Sequence, residues 1–103
     1  MSASSHTTVE TVLARASDAY ASLAEVGEEI DDEWSYIQDL TGAWRARLDD
    51  IAAARGSETV HDDIVAAIDA AIEEISRIDD PHRAIDWLST FPQVALIALG
   101  EQP

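Results

Sequence analysis

The sequence predicts an all-α protein on three observations. Apolar residues recur in alternating steps of four and three from Val9 to Ile51, a second helical spacing runs from Val60 to Ile78, and helix-start signals stand at Thr7 and Asp80-Pro81. The expected architecture is a long helical hairpin followed by short C-terminal helices, joined with other copies into an intermolecular bundle. At 103 residues the chain has the size of one domain. The reading is a single helical domain over 1–103, with 1–7 and 101–103 frayed.

The first helix is expected over about 8–55. Thr7-x-x-Glu10 has the form of a capping box, in which hydroxyl and carboxylate each satisfy a free backbone N–H. Val9, Leu13, Ala16, Tyr20, Leu23, Gly27, Ile30, Trp34, Ile37, Thr41, Trp44, Leu48 and Ile51 then form a heptad seam. Val12, Ala19, Val26 and Leu40 widen it towards a bundle. Gly27 and Thr41 are small enough to receive bulky side chains from a facing helix.

Arg55-Gly56-Ser57 reads as a helix stop, with glycine in the left-handed conformation and a hydroxyl to start the next helix. The second helix is expected over 58–78. Asp80 is the expected N-cap of a third helix over 81–90, with Pro81 at its first position. Pro92 is expected to start a last helix over 92–99, ending at Gly100.

An unbroken first helix would be roughly 70 Å long against roughly 30 Å for the second. The C-terminal helices and a second subunit are expected to cover the excess, and a break at Thr41-Gly42 is the other way to remove it. Hydrophobic residues are 47% of the chain and many are alanine, so self-association would supply missing core volume. The expected assembly is a homo-oligomer, dimer or higher, with Trp34, Ile37, Trp44, Leu48, Trp87 and Phe91 at its interface.

The formal net charge is −15, and all six basic residues are arginine. Such a surface repels nucleic acid and anionic lipid, so neither direct nucleic-acid nor membrane binding is expected. With no cysteine, disulfides and thiolate chemistry are excluded. Met1 to Thr8 has neither a basic cluster nor an apolar run, so a cytoplasmic location is expected. Because the acids are spread along the chain, a halophile-like solvation surface is favoured over a surface for a basic partner. The second reading, an acidic mimic of nucleic acid, rests on Asp49-Asp50, Asp62-Asp63 and Glu73-Glu74.

Asp18, Glu25, Asp32 and Asp39 recur every seven residues as an outer acidic row. Like charges one turn apart, such as Glu25 with Glu29 and Glu28 with Asp32, weaken a helix by a few tenths of a kcal/mol each. The candidate metal site is Glu58-x-x-His61, a carboxylate and an imidazole on adjacent turns, with Glu28, Glu29, Asp32 and Glu33 as further oxygen donors. It would take iron or another divalent metal.

The spacing of Glu28, Trp34, Glu58 and His61 resembles the Glu, Trp and Glu-x-x-His pattern of encapsulated ferritins. That resemblance covers four positions and implies helical-hairpin oligomers with iron between subunits. To bring Glu28 level with Glu58 and His61, the hairpin would have to turn at Thr41-Gly42. For helical nucleotide pyrophosphohydrolases the fit is poorer, since Glu28-Glu29-x-x-Asp32 departs from Glu-Glu-x-x-Glu and the second helix lacks Glu-x-x-Asp. No nucleophile elbow or glycine-rich phosphate loop is present. The sequence therefore reads as a non-enzymatic interaction or accessory protein.

Overall fold

A computed structural model describes residues 7–30, 32 and 34–101, Trp34 through its backbone only. Four helices follow one another: α1 (Val9–Gly27), α2 (Trp34–Arg55), α3 (Asp62–Ile75) and α4 (Pro81–Ala98). The described chain is all-helical apart from one isolated antiparallel bridge between Thr8 and Thr59.

The long first helix is two helices. α1 ends at Gly27 and α2 begins at Trp34, so the break falls in the acidic stretch 28–33 and not at Thr41-Gly42. The cause lies in that stretch: acids at a helix C-terminus oppose its dipole and repel one another one turn apart. Because Gly27 and Trp34 are seven residues apart, the heptad phase survives the reversal of direction. The seam was real, but the chain folds it against itself.

α1 and α4 form the centre, each packing against every other helix, whereas α2 and α3 flank them and scarcely touch. The directions alternate. Gly27 meets Ile37, Ile85 and Leu88 at one pole. At the other, Val9 N donates to Glu58 O (2.9 Å), Val60 N donates to Thr7 O (2.8 Å), and Arg55 Nη1 donates to Leu99 O (3.0 Å). Thr7 and Glu101 are therefore held, where fraying was expected; the expected fraying of 1–6 and 102–103 lies outside the described residues.

Several boundaries move for local reasons. The N-cap of α1 is Thr8, whose Oγ1 accepts from Thr11 N (3.3 Å), one residue beyond the expected cap. α3 starts at Asp62 rather than 58, because 58–60 is extended and bonded to the N-terminal segment, and His61 is the cap. Gly56 is not left-handed, since Gly100 (φ 80°) is the positive-φ glycine among the described residues. What Gly56 supplies is room, as a Cβ there would lie 2.4 Å from Ala52 O. Asp80 caps α4 as expected, its Oδ1 accepting from His82 N (3.0 Å) with Pro81 following.

Pro92 lies inside α4 instead of dividing it. An interior proline costs about 3 kcal/mol, partly because the carbonyl four residues earlier loses its donor. Here that carbonyl is Leu88 O, and the buried Tyr20 hydroxyl of α1 donates to it at 2.8 Å. Tyr20 thus offsets part of the proline's cost and fastens α1 to α4. α4 ends in a Schellman arrangement, with Glu101 N donating to Leu96 O (2.8 Å) and Gly100 left-handed.

The core is continuous. It includes Leu13, Tyr20, Ile37, Trp44, Leu48, Ile51, Ile68, Leu88 and Phe91. Tyr20, Trp44 and Phe91 form an aromatic cluster, with centroids 4.3 Å apart for Tyr20–Trp44 and 5.6 Å for Trp44–Phe91. Gly27 does receive bulky neighbours, the Ile37 and Leu88 methyls standing 3.2 and 3.3 Å from where its Cβ would be. The long-overhang argument for a second subunit disappears with the long helix.

Candidate functional site

The metal ligands expected from the sequence are not brought together. Glu58 and His61 lie at the start of α1, against Val9, whereas Glu28 and Glu29 follow its end. The 19 residues of α1 separate these groups by about 28 Å. Neither Glu58 nor His61 is in a helix, so their spacing does not place them on one helical face.

Both are also engaged locally. Glu58 Oε1 accepts from Arg55 Nε (3.2 Å), and His61 Nδ1 accepts from Asp63 N (3.1 Å). Asp32 is exposed, and Glu33 lies outside the described residues. Among the described residues no group of three His, Asp or Glu side chains is arranged to hold a metal ion. The acidic row is split, with Asp18 and Glu25 in α1, Asp32 between the helices and Asp39 in the antiparallel α2, and Asp62-Asp63 and Glu73-Glu74 stand at opposite ends of α3.

The residues expected at an interface divide as well. Ile37, Trp44, Leu48 and Phe91 are at most 6% exposed and belong to the core of one chain. Trp87 is half-buried, in a corner with Arg77, Asp79, Asp80 and Arg83. The side chain of Trp34 lies outside the described residues.

A different surface stands out, between α2 and α4. It is a groove of about 510 Å³, floored by the buried Trp44, Leu88 and Leu96 and walled by Leu40, Ala43, Ser89, Pro92 and Gln93. Its one charged lining residue is Arg47, whose Nη2 donates to Glu101 Oε1 (3.2 Å). The neighbouring clefts all carry carboxylates: Asp18 between α1 and α3, Glu10 and Asp49 or Glu25 and Glu28 between α1 and α2, and Glu74, Asp79 and Asp80 where α3 turns into α4.

The two exposed large hydrophobic side chains among the described residues adjoin this groove. Tyr36 (45% exposed) precedes Leu40 by one turn of α2, and Ile97 (62% exposed) follows Gln93 by one turn of α4. The sequence carries the signal, since Trp87 to Gly100 and Leu40 to Trp44 contain no charge in a chain of net charge −15. The pairing of these two segments is not legible there, because it depends on α2 and α4 running side by side.

Beneath the groove the polar groups are few and specific. The Tyr20 phenol is pushed up to about 12, first by burial, while the neighbouring Thr41 side chain works in the opposite direction. Thr41 Oγ1 itself donates to Ile37 O (2.8 Å). Trp44 Nε1 is buried and meets no acceptor among the described residues. No acid–base or nucleophile pair assembles from these groups: a neutral phenol, a hydroxyl and an indole serve packing. At the bundle pole, Arg55 is held charged above its ordinary range by Glu101 and Glu58. Comparison with known proteins gives no further guide, as no family model, curated protein or solved structure matches the chain.

Proposed function

We propose that the chain is a non-enzymatic protein-interaction or accessory protein and that its contact surface is the face between α2 and α4. One observation carries this reading: an apolar groove free of carboxylates coincides with the exposed Tyr36 and Ile97 on an otherwise strongly acidic molecule. Aromatic and apolar residues freed of like charge are what the centre of a protein interface requires, while carboxylates are depleted there. The surrounding acids keep the molecule soluble and suppress contacts elsewhere.

The test is a photo-crosslinking residue placed at Ile97 and, separately, at Asp63, in the cell in which the protein is made. A discrete protein-to-protein product from position 97 and none from 63 is expected. No product from 97, or equal products from both positions, rejects the reading.

A further inference from the structure

We infer that the occupant of the α2/α4 groove is a second copy of this chain, packed so that the two α4 helices run antiparallel and Ile97 of each copy enters the groove of the other. The inference rests on the interaction reading above and names its partner. Charge is the first argument. Two molecules of charge −15 repel each other, and the approach through α2/α4 puts no lining carboxylate of one against those of the other. Each of the other clefts sets at least one carboxylate beside its arginines, and those flanking α2 on its α1 side and at the turn from α3 to α4 are net negative.

Shape is the second argument. A two-fold interface uses one patch twice, so it must hold both a projection and its recess. This face has both within a few residues. Ile97 projects from α4, while Ala43 and Pro92 leave the recess about one turn and a half before it. Antiparallel pairing of the α4 helices sets the projection of each copy over the recess of the other. The end of α4 is fixed for that role, because Gly100 terminates it and Arg55 and Arg47 hold Glu101.

Salt separates this partner from others. Like-charged copies joined through a face without carboxylates associate more tightly as salt screens their repulsion, whereas a basic partner on the acidic surface is released by salt.

The experiment is analytical ultracentrifugation of the full chain in low-salt and molar-salt buffer, with Ile97→Glu and the surface control Asp63→Lys. The expected result is a dimer whose dissociation constant falls as salt rises. Ile97→Glu, at an exposed position that leaves the fold intact, is expected to weaken it about tenfold or more. Asp63→Lys is expected not to weaken it. Because the chain has no cysteine, Gln93→Cys mixed with Ile97→Cys tests the pairing, and the mixed disulfide is expected to exceed either self-product. A monomer in molar salt, or a dimer indifferent to Ile97→Glu, overturns the inference. So does a predominance of self-products, which denotes a parallel arrangement. If position 97 photo-crosslinks to another protein while the chain stays monomeric, the copy is refuted and the interaction face stands; if neither forms, both fall.

Discussion

Two furrows of comparable size, each walled by one central and one flanking helix, differ more in charge than in apolar content. The one between α1 and α3, about 400 Å³, is lined by Ala19, Leu23, Val26, Ile72 and Ile75, yet Asp18 stands on its wall and Arg15 pairs with Asp69 across the two helices at 2.6 Å. The one between α2 and α4 has no carboxylate on its lining and rests on the buried aromatic cluster. An apolar lining therefore does not by itself nominate a contact surface. In a molecule this acidic, the missing carboxylates do so.

The sharpest way to probe the contrast is through what lies beneath each furrow. Phe91, wholly buried and packed on Tyr20 and Trp44, is expected to cost about 3–5 kcal/mol on replacement by alanine. Ile72, half-buried on α3, is expected to cost only about 1–2 kcal/mol, since its site is already open to water. Denaturant unfolding of both variants measures the difference. Equal losses would mean that the α1/α3 side is as firmly built as the α2/α4 side.

A smaller effect is expected from the bond that fastens α1 to α4. Tyr20→Phe leaves Leu88 O without a donor, because Pro92 has no N–H, and is expected to cost about 1–3 kcal/mol. In a Pro92→Ala background the helix supplies that donor itself, so the same substitution is expected to cost much less. Additive losses in this double-mutant cycle would show that the hydroxyl is not substituting for the missing N–H. Titration gives an independent measure. The folded state holds the phenolic proton more tightly than the unfolded state, so the resulting stability is present below about pH 10 and is lost as pH rises towards 12. That slope should be reduced in Tyr20→Phe.

The smallest effect belongs to the Arg15–Asp69 pair. Its side chains are 50% and 39% exposed, so a double-mutant cycle is expected to give less than about 1 kcal/mol in low salt and nothing measurable in molar salt. A larger, salt-resistant coupling would make charge a structural element of the α1/α3 furrow and weaken the contrast between the two furrows.

Much of the packing was legible in the sequence, because side-chain burial follows local periodicity. Leu13, Ala16, Tyr20, Leu23, Ile37, Trp44, Leu48 and Ile51 are all buried, as the four-three rhythm requires. Direction was not legible from the same rhythm. An interval of one heptad between Gly27 and Trp34 keeps the phase whether the chain continues or turns back, and the acids of 28–33, which weaken a helix there, mark where it turns. Pro92 is the opposite case: its local effect is to end a helix, and the hydroxyl that keeps α4 whole comes from Tyr20, 68 positions before the Leu88 carbonyl that accepts it. The spacing Glu58-x-x-His61 has helical meaning only within a helix, and neither residue lies in one. The α2/α4 face needed the pairing of two distant uncharged segments, which no local pattern records.

The short antiparallel contact between Thr8 and Thr59 stands beside the bonds that hold Leu99 and Glu101 to Arg55. The two extremities of the described backbone are thus moored to a single connecting segment. Under tension applied at its ends, such a molecule peels open, its fastenings yielding one after another instead of sharing the load.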